Sequence, residues 1–290
     1  MKILNFGSLN IDYVYAVDHF VSAGETIASY GMDKNTGGKG LNQSVAFAKA
    51  GAEISHAGCV GEDGAFLTGY LNRTGVDTDN VSVVDTPTGN AIIQVDKTGQ
   101  NCILLFGGAN RVVNEAQIDE VLSKYSKGDM LILQNEISCV DYLIKSAHSL
   151  GITVVLNPSP ITDELLKYPL DQVDWFIMNE IEGKAITGED TPINIAEKMR
   201  KLYPNAKTVL TLGADGAAYI DNESFVIVPA GKGKPVDTTA AGDTFTGYFF
   251  TGISKRKTPY ESLLWATKAS DITVTRKGAA ESIPYASEIE

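Results

Sequence analysis

The feature that most constrains this 290-residue chain is the way short β-rich runs take turns with amphipathic helical segments. Strands separated by helices align in parallel and need cover on both faces, so they build layered α/β folds. Ile118, Val121, Leu122 and Tyr125 fall at i, i+3, i+4 and i+7, one apolar stripe of a helix over 114–125 that Asn114 can cap. Residues 130–133 read as the strand that follows. The next helix begins near Ser138, carries Val140, Leu143, Ile144 and Ala147 on one face, and stops at Gly151, a residue suited to the left-handed C′ position. Residues 152–156, 174–178 and 207–212 read as further strands, and Thr191-Pro192 opens a helix through Met199 and Leu202. Thr258-Pro259-Tyr260-Glu261 has the spacing of a capping box with proline at the first helical position, so a further helix runs toward Asp271. The expected fold class is α/β, three layers around a central, mostly parallel sheet.

Two stretches, 12–35 and 89–106, break the alternation: β-type residues with turn glycines and no helical period. Tyr13-Val14-Tyr15-Ala16-Val17 and Ala91-Ile92-Ile93-Gln94-Val95 read as strands outside the main sheet. They are expected to pair into a small second sheet beside the C-terminal ends of the parallel strands, where a substrate cover belongs. No linker rich in Pro, Gly and Ser separates them from the rest. Residues 1–290 therefore read as one domain with an inserted β lid.

Thirty-six acids against 24 bases leave a formal net charge of −12, which repels a polyphosphate backbone and an anionic membrane. Nucleic acid and membrane are not expected partners. Cys59, Cys102 and Cys139 show no C-x-x-C spacing, so neither a disulfide framework nor a zinc ribbon is expected, and a reducing cytoplasm fits. The opening run Lys2-Ile3-Leu4-Asn5-Phe6 meets Gly7 at once and no stretch nears the ~18 apolar residues of a membrane span, so no signal peptide or anchor is expected. Where a dinucleotide fold needs G-x-G-x-x-G, the chain has Gly7-Ser8-Leu9-Asn10-Ile11-Asp12. Gly38-Lys39-Gly40 and Gly231-Lys232-Gly233 follow lysine with glycine and so miss the Walker A pattern. The hydrolase elbow G-x-S-x-G is absent, and His19, His56 and His148 have no ligand-like spacing.

The densest constellation is Asp237-Thr238-Thr239-Ala240-Ala241-Gly242-Asp243-Thr244, small residues leading into a helix marked by Phe245, Tyr248 and Phe249. Backbone N–H groups converging at such a helix start favour an anion. Asp243 in the first turn is placed to accept a proton from an attacking hydroxyl while the amides hold the charge that develops. The same residues also fit an ordinary helix start. The second constellation is Thr36-Gly37-Gly38-Lys39-Gly40-Leu41-Asn42-Gln43, opening a helix that runs to Lys49 and ends at Gly51. Paired with Asn10 and Asp12 just past the first strand, its ammonium and amide suit a polyhydroxylated ligand.

These two motifs, in this order and separation, resemble the two signatures of the ribokinase-like (PfkB-type) sugar kinase family. The resemblance continues through Leu133-Gln134-Asn135-Glu136, Asn157-Pro158-Ser159-Pro160, Asn179-Glu180-Ile181-Glu182, Thr211-Leu212-Gly213-Ala214-Asp215-Gly216 and Val274-Thr275-Arg276-Lys277-Gly278-Ala279, nearly the whole chain. It implies transfer of the ATP γ-phosphoryl group to the primary 5-hydroxyl of D-ribose, giving D-ribose 5-phosphate and ADP. Asp243 would be the base, and the amides of Ala241, Gly242 and Asp243 the anion hole. The sugar would meet Asn10, Asp12, Gly38, Lys39, Asn42 and Glu136. The resemblance places Thr211, Gly213 and Gly216 in the loop that follows the nucleotide phosphates, and Asn179 and Glu182 near the phosphates and the water shell of Mg²⁺. It also implies an activating K⁺ held largely by backbone carbonyls at positions matching Asp237, Thr239, Thr273, Arg276, Gly278 and Ser282, and a homodimer through the β lid.

Leu41 departs from the alanine frequent beside the sugar loop, Lys268-Ala269-Ser270-Asp271 is more polar than the helix usual near adenine, and Glu281 is an added acid before Ser282. The final helix of many relatives is expected to be short or missing. Other family substrates (deoxyribose, fructose, 2-keto-3-deoxygluconate or a nucleoside) stay open, as does a sugar-binding regulator without chemistry.

Overall fold

The computed structural model describes residues 1–289. Its strands are β1 (Ile3–Phe6), β2 (Asn10–Ala16), β3 (Gly31–Gly37), β4 (Ile54–Val60), β5 (Asp77–Val83), β6 (Gly89–Val95), β7 (Asn101–Phe106), β8 (Met130–Gln134), β9 (Thr153–Asn157), β10 (Trp175–Asn179), β11 (Lys207–Thr211), β12 (Ala217–Ile220) and β13 (Phe225–Val228). Its helices are α1 (Lys39–Lys49), α2 (Ala65–Arg73), α3 (Glu115–Leu122), α4 (Val140–Ser149), α5 (Glu180–Thr187), α6 (Pro192–Leu202), α7 (Ala241–Ser254) and α8 (Pro259–Val274).

Nine strands form the central sheet in the order β13-β12-β11-β10-β9-β8-β1-β4-β5. From β11 to β5 every neighbour is parallel, while β12 and β13 close the edge antiparallel. The strand and helix positions follow the expected ones closely. The β12–β13 hairpin does not: its strands are four residues each, too short to show a period in the sequence. Capping explains the helix starts. The Asn114 side chain accepts the Gln117 amide, Thr191 accepts that of Asn194, and Thr258 and Glu261 make both bonds of the expected capping box. The helix expected near Ser138 starts at Val140, because Cys139 takes a left-handed φ of 58° first. Gly151 follows it at φ 70°, as a C′ glycine does.

Each face of the sheet carries its own core. On one, Ile118, Leu143, Ile144 and Ile195 from α3, α4 and α6 pack against Leu131, Leu133 and Phe176. On the other, Phe47, Leu71, Tyr248, Phe249, Phe250 and Leu263 from α1, α2, α7 and α8 pack against Ile132, Trp175 and Val209. Trp175 stands edge-on to Phe249 and Phe250, with ring centroids 5.9 and 5.4 Å away. Leu41 is fully buried in this second core, which accounts for its bulk without involving the sugar loop.

The expected second sheet is present, four-stranded in the order β3-β2-β6-β7. It starts earlier than expected, at Asn10, and β3 runs on to Gly37, so both expected polar motifs lie at its inner end. Register sorts its two faces: Asp12, Ala91 and Leu105 stand in one row, Val14, Ile93 and Ile103 in the next, all toward a cleft. Tyr13, Ile92 and Leu104 fall on the opposite face. Among the described residues no helix is long and apolar enough to cross a membrane. A single 3₁₀ turn, Ala286–Glu288, stands where a final helix was expected to be short or missing.

Candidate active site

Between the small sheet and the C-terminal ends of β8 to β11 lies a cleft of about 1290 Å³, which also takes in the start of α7. The parallel strands aim their carboxyl ends into it, as open α/β sheets do at their ligand crevices.

At the sugar-motif end, Gly38 adopts φ 94°, a left-handed turn that a Cβ would disfavour, and a Cβ on Gly40 would run into the Ser8 backbone. These glycines let α1 begin directly on the β1–β2 junction. Glu136 then fastens the turn, accepting both the Lys39 amide at 2.9 Å and the Ser8 hydroxyl. Asn10 is pinned through its Oδ1 by Asn110 at 2.7 Å. Burial pushes the Asp12 carboxyl up to about 7, helped by the nearby charges of Glu136 and Glu281. For Lys39 burial acts to lower its value, and the carboxylates of Asp243, Glu136 and Glu182 more than offset this, holding it above the ordinary lysine range. Glu281, the added acid, reaches this end of the cleft rather than standing apart from it: it accepts the Thr36 hydroxyl at 3.2 Å.

Asp243 is buried at the first turn of α7. Its Oδ2 accepts from Asn42 Nδ2 at 3.1 Å and its Oδ1 from Gln43 Nε2 at 3.0 Å. Asn42 Oδ1 is buried without a partner. Ahead of the helix, Ala240 holds a left-handed φ of 59° as N-cap. The Ala241 amide donates to the Thr238 carbonyl at 3.3 Å, whereas those of Gly242 and Asp243 have no acceptor among the described residues. A Cβ on Gly242 would meet nothing within 4 Å, so space opens directly over these two amides. A negative group arriving there meets two donors and the positive end of a 14-residue helix.

At the far end, Asn179 and Glu182 cap α5 reciprocally, each accepting the other's amide at 2.9 Å, and both line the cleft. Capping explains why these residue types stand at the end of a strand, and it leaves Glu182 Oε1 unengaged. Thr211 lines the cleft as well, while Gly213 and Gly216 shape the β11–β12 turn behind its wall. The expected cation positions divide. Asp237 bridges two loops, Oδ1 accepting from Thr239 at 2.9 Å and Oδ2 from Gly278 at 3.1 Å. These bonds outweigh its burial and keep its carboxyl below the usual range. Thr273 and Ser282 spend their hydroxyls on the Ala269 and Ala279 carbonyls, and the Arg276 side chain turns away to Glu288 at 2.7 Å. The polar residues of α8 serve the site from behind: Ser270 donates to the Ala241 carbonyl and Asp271 accepts the Gly233 amide at 2.8 Å.

Comparison with known proteins gives the family. The model of the pfkB family carbohydrate kinases matches residues 1–286. The chain belongs to this family. It is 36% identical to a ribokinase of Schizosaccharomyces pombe, covering 100% of this chain and 97% of that one. The structure of a ribokinase from Cryptococcus neoformans in complex with ADP superposes with a TM-score of 0.88 at 32% identity, over 99% of this chain and 98% of that chain. That of Arabidopsis thaliana ribokinase complexed with ribose and ATP gives 0.87 at 29% identity, over 99% and 97%. As a PfkB carbohydrate kinase, the chain has a phosphoryl acceptor and a nucleotide to place in one cleft.

Proposed function

We propose that the chain is a ribose kinase, transferring the γ-phosphoryl group of ATP to the 5-hydroxyl of D-ribose to give D-ribose 5-phosphate and ADP. The observation that carries this is Asp243, buried at the start of α7 between Asn42 and Gln43 and beside two free amides. Asp243 takes the proton of the attacking hydroxyl, and the Gly242 and Asp243 amides, with Ala241 shaping the turn, hold the charge on the phosphoryl oxygens. Sugar hydroxyls bond to Asn10, Asp12, Gly38, Lys39 and Glu136, and the unpartnered Asn42 Oδ1 accepts one more. Asn179 and Thr211 face the phosphates.

Mg²⁺ travels with ATP and neutralises phosphate charge; the free Oε1 of Glu182 fits its water shell. For K⁺, the ionised Asp237 and the loop carbonyls around Thr239 and Gly278 fit a weakly hydrated cation, whereas the engaged hydroxyls of Thr273 and Ser282 and the outward Arg276 leave only their carbonyls to it. Such an ion would order the 237–239 loop that leads into the anion hole. The exposed Ile92 and Leu104 on the outer face of the small sheet suit a homodimer through this lid, while Tyr13 beside them packs on the chain's own core. The acidic balance fits a cytoplasmic enzyme of small molecules.

The test is ADP release from Mg²⁺-ATP over a panel of sugars and nucleosides, with and without K⁺, with Asp243→Asn alongside. Ribose-dependent turnover that K⁺ raises and the variant loses by several orders of magnitude is expected. Turnover with another sugar reassigns the substrate, and silence with retained sugar binding overturns the kinase.

A further inference from the structure

Behind Asp243, outside the cleft wall, a chain of amides runs back into the core. Gln43, Gln134, Asn5, Ser44 and His56 are fully buried. An amide side chain can sit either way round in density or in a cavity, but here the backbone removes the choice. The Gly40 carbonyl can only accept, so Asn5 must turn Nδ2 toward it, at 2.7 Å. Its Oδ1 then faces Gln134, which must donate, at 3.0 Å. The same Gln134 Nε2 donates to Gln43 Oε1 at 2.7 Å. Gln43 is therefore left presenting its NH₂ group to Asp243 Oδ1 at 3.0 Å.

A second branch fixes the same orientation independently. Asn157 donates to the Ile177 carbonyl at 2.9 Å, so its Oδ1 faces Gln43 Nε2, at 3.2 Å. A reversed Gln43 would set its oxygen against both the Asp243 and the Asn157 oxygens. At the inner end Ser44 accepts from Asn5 at 2.9 Å and its hydroxyl pairs with His56 Nδ1 at 2.8 Å. Burial pushes His56 down to about 4.

We propose that Gln43 is a positioning residue for Asp243, its NH₂ locked onto Oδ1 by a one-way donor relay that starts at the Gly40 and Ile177 carbonyls and passes through Asn5, Gln134 and Asn157. The proposal rests on Asp243 acting as the base. Gln43 does not line the cleft. With Oδ1 held by Gln43 and Oδ2 by Asn42, the carboxylate is fixed in orientation. The relay also gives a task to Gln134 and Asn157, which stand in two of the shared motifs.

The test is Gln43→Met in the full chain, which keeps length and bulk, removes the donor on Oδ1, and leaves Asp243 and its Asn42 bond untouched. With ribose and Mg²⁺-ATP, kcat should fall about tenfold while ribose KM stays within about twofold. Gln134→Met, in which Asn157 and Asp243 still hold the Gln43 amide, should lose less than Gln43→Met. A folded Gln43→Met with wild-type kcat overturns the proposal. Independently of any variant, the Gln43 NH₂ pair in ¹⁵N-labelled wild type should exchange slowly with solvent; exchange as fast as a surface glutamine overturns it too. If Asp243→Asn keeps turnover, the base reading falls and the relay with it. If Asp243→Asn is silent while Gln43→Met matches wild type, the relay alone falls.

Discussion

Gly37 sits so close to the carboxylate of Asp12 that a methyl group on it would overlap both oxygens. No other residue type fits between β3 and this acid without moving it. Gly37→Ala should therefore displace Asp12 from the cleft and raise the ribose KM about tenfold, with the far end of the side chain yielding rather than the sheet. Steady-state kinetics beside a thermal melt checks this, and a wild-type KM would contradict it.

Asp12 should also make the free protein pH-sensitive. Its carboxyl lies at about 7 in the fold against 3.8 ordinarily, so between these values the folded state holds a proton that the unfolded chain has released. Stability then declines as pH rises from about 4 to about 7 and levels off above. Melts of the sugar-free protein across this range, compared with Asp12→Asn, should show the decline in wild type and a weaker one in the variant. Glu281→Gln, which removes one of the charges that raise Asp12, should move the decline to lower pH.

Gly242→Ala separates stability from chemistry. The added methyl meets no protein atom and replaces a helical glycine, which favours the fold by about 0.5–1 kcal/mol, yet it projects into the space over the two free amides. Its Tm should hold or rise slightly while turnover drops by about two orders of magnitude.

Thr258→Ala makes the complementary case. Losing the Thr258 hydroxyl, which accepts the Glu261 amide and donates to the Glu261 carboxylate, should cost about 1 kcal/mol in chemical denaturation. Because the cap lies at the end of α8 away from Ser270 and Asp271, kcat should be unchanged.

The parts of the molecule that could be read in advance were those governed by local rules. The helix stripes, the caps at Asn114, Thr191 and Thr258, and the turn glycines each depend on residues within a few positions of one another. The strands of the small sheet were visible through Tyr13–Val17 and Ala91–Val95, but their partners were not, since pairing Asn10 with Gly89 joins segments far apart in the chain. The same holds for the site. Asp243 and Asn42 stood out by motif, whereas Glu281 meeting Thr36 and Gln134 meeting Gln43 are contacts between distant segments that no spacing announces. Asn179 and Glu182 drew notice through the resemblance, and the i, i+3 pairing of Asn with Glu could have announced the cap itself.

Three residues, Gly7, Ser8 and Leu9, join the large sheet to the small one, and the side-chain amide of Asn110 grips Leu9 at both its N–H and its carbonyl, at 3.0 and 3.2 Å. A splice held this way is the anchored end of the small sheet, with Asn10 and Asp12 directly beyond it. The exposed stretches lie at the sheet's two edge strands, over the whole of β7 and the first five residues of β3. Amide exchange should therefore be slowest where β2 leaves the splice and fastest along those two edges, so that the polar side chains nearest the large sheet are also the most firmly held of the cover.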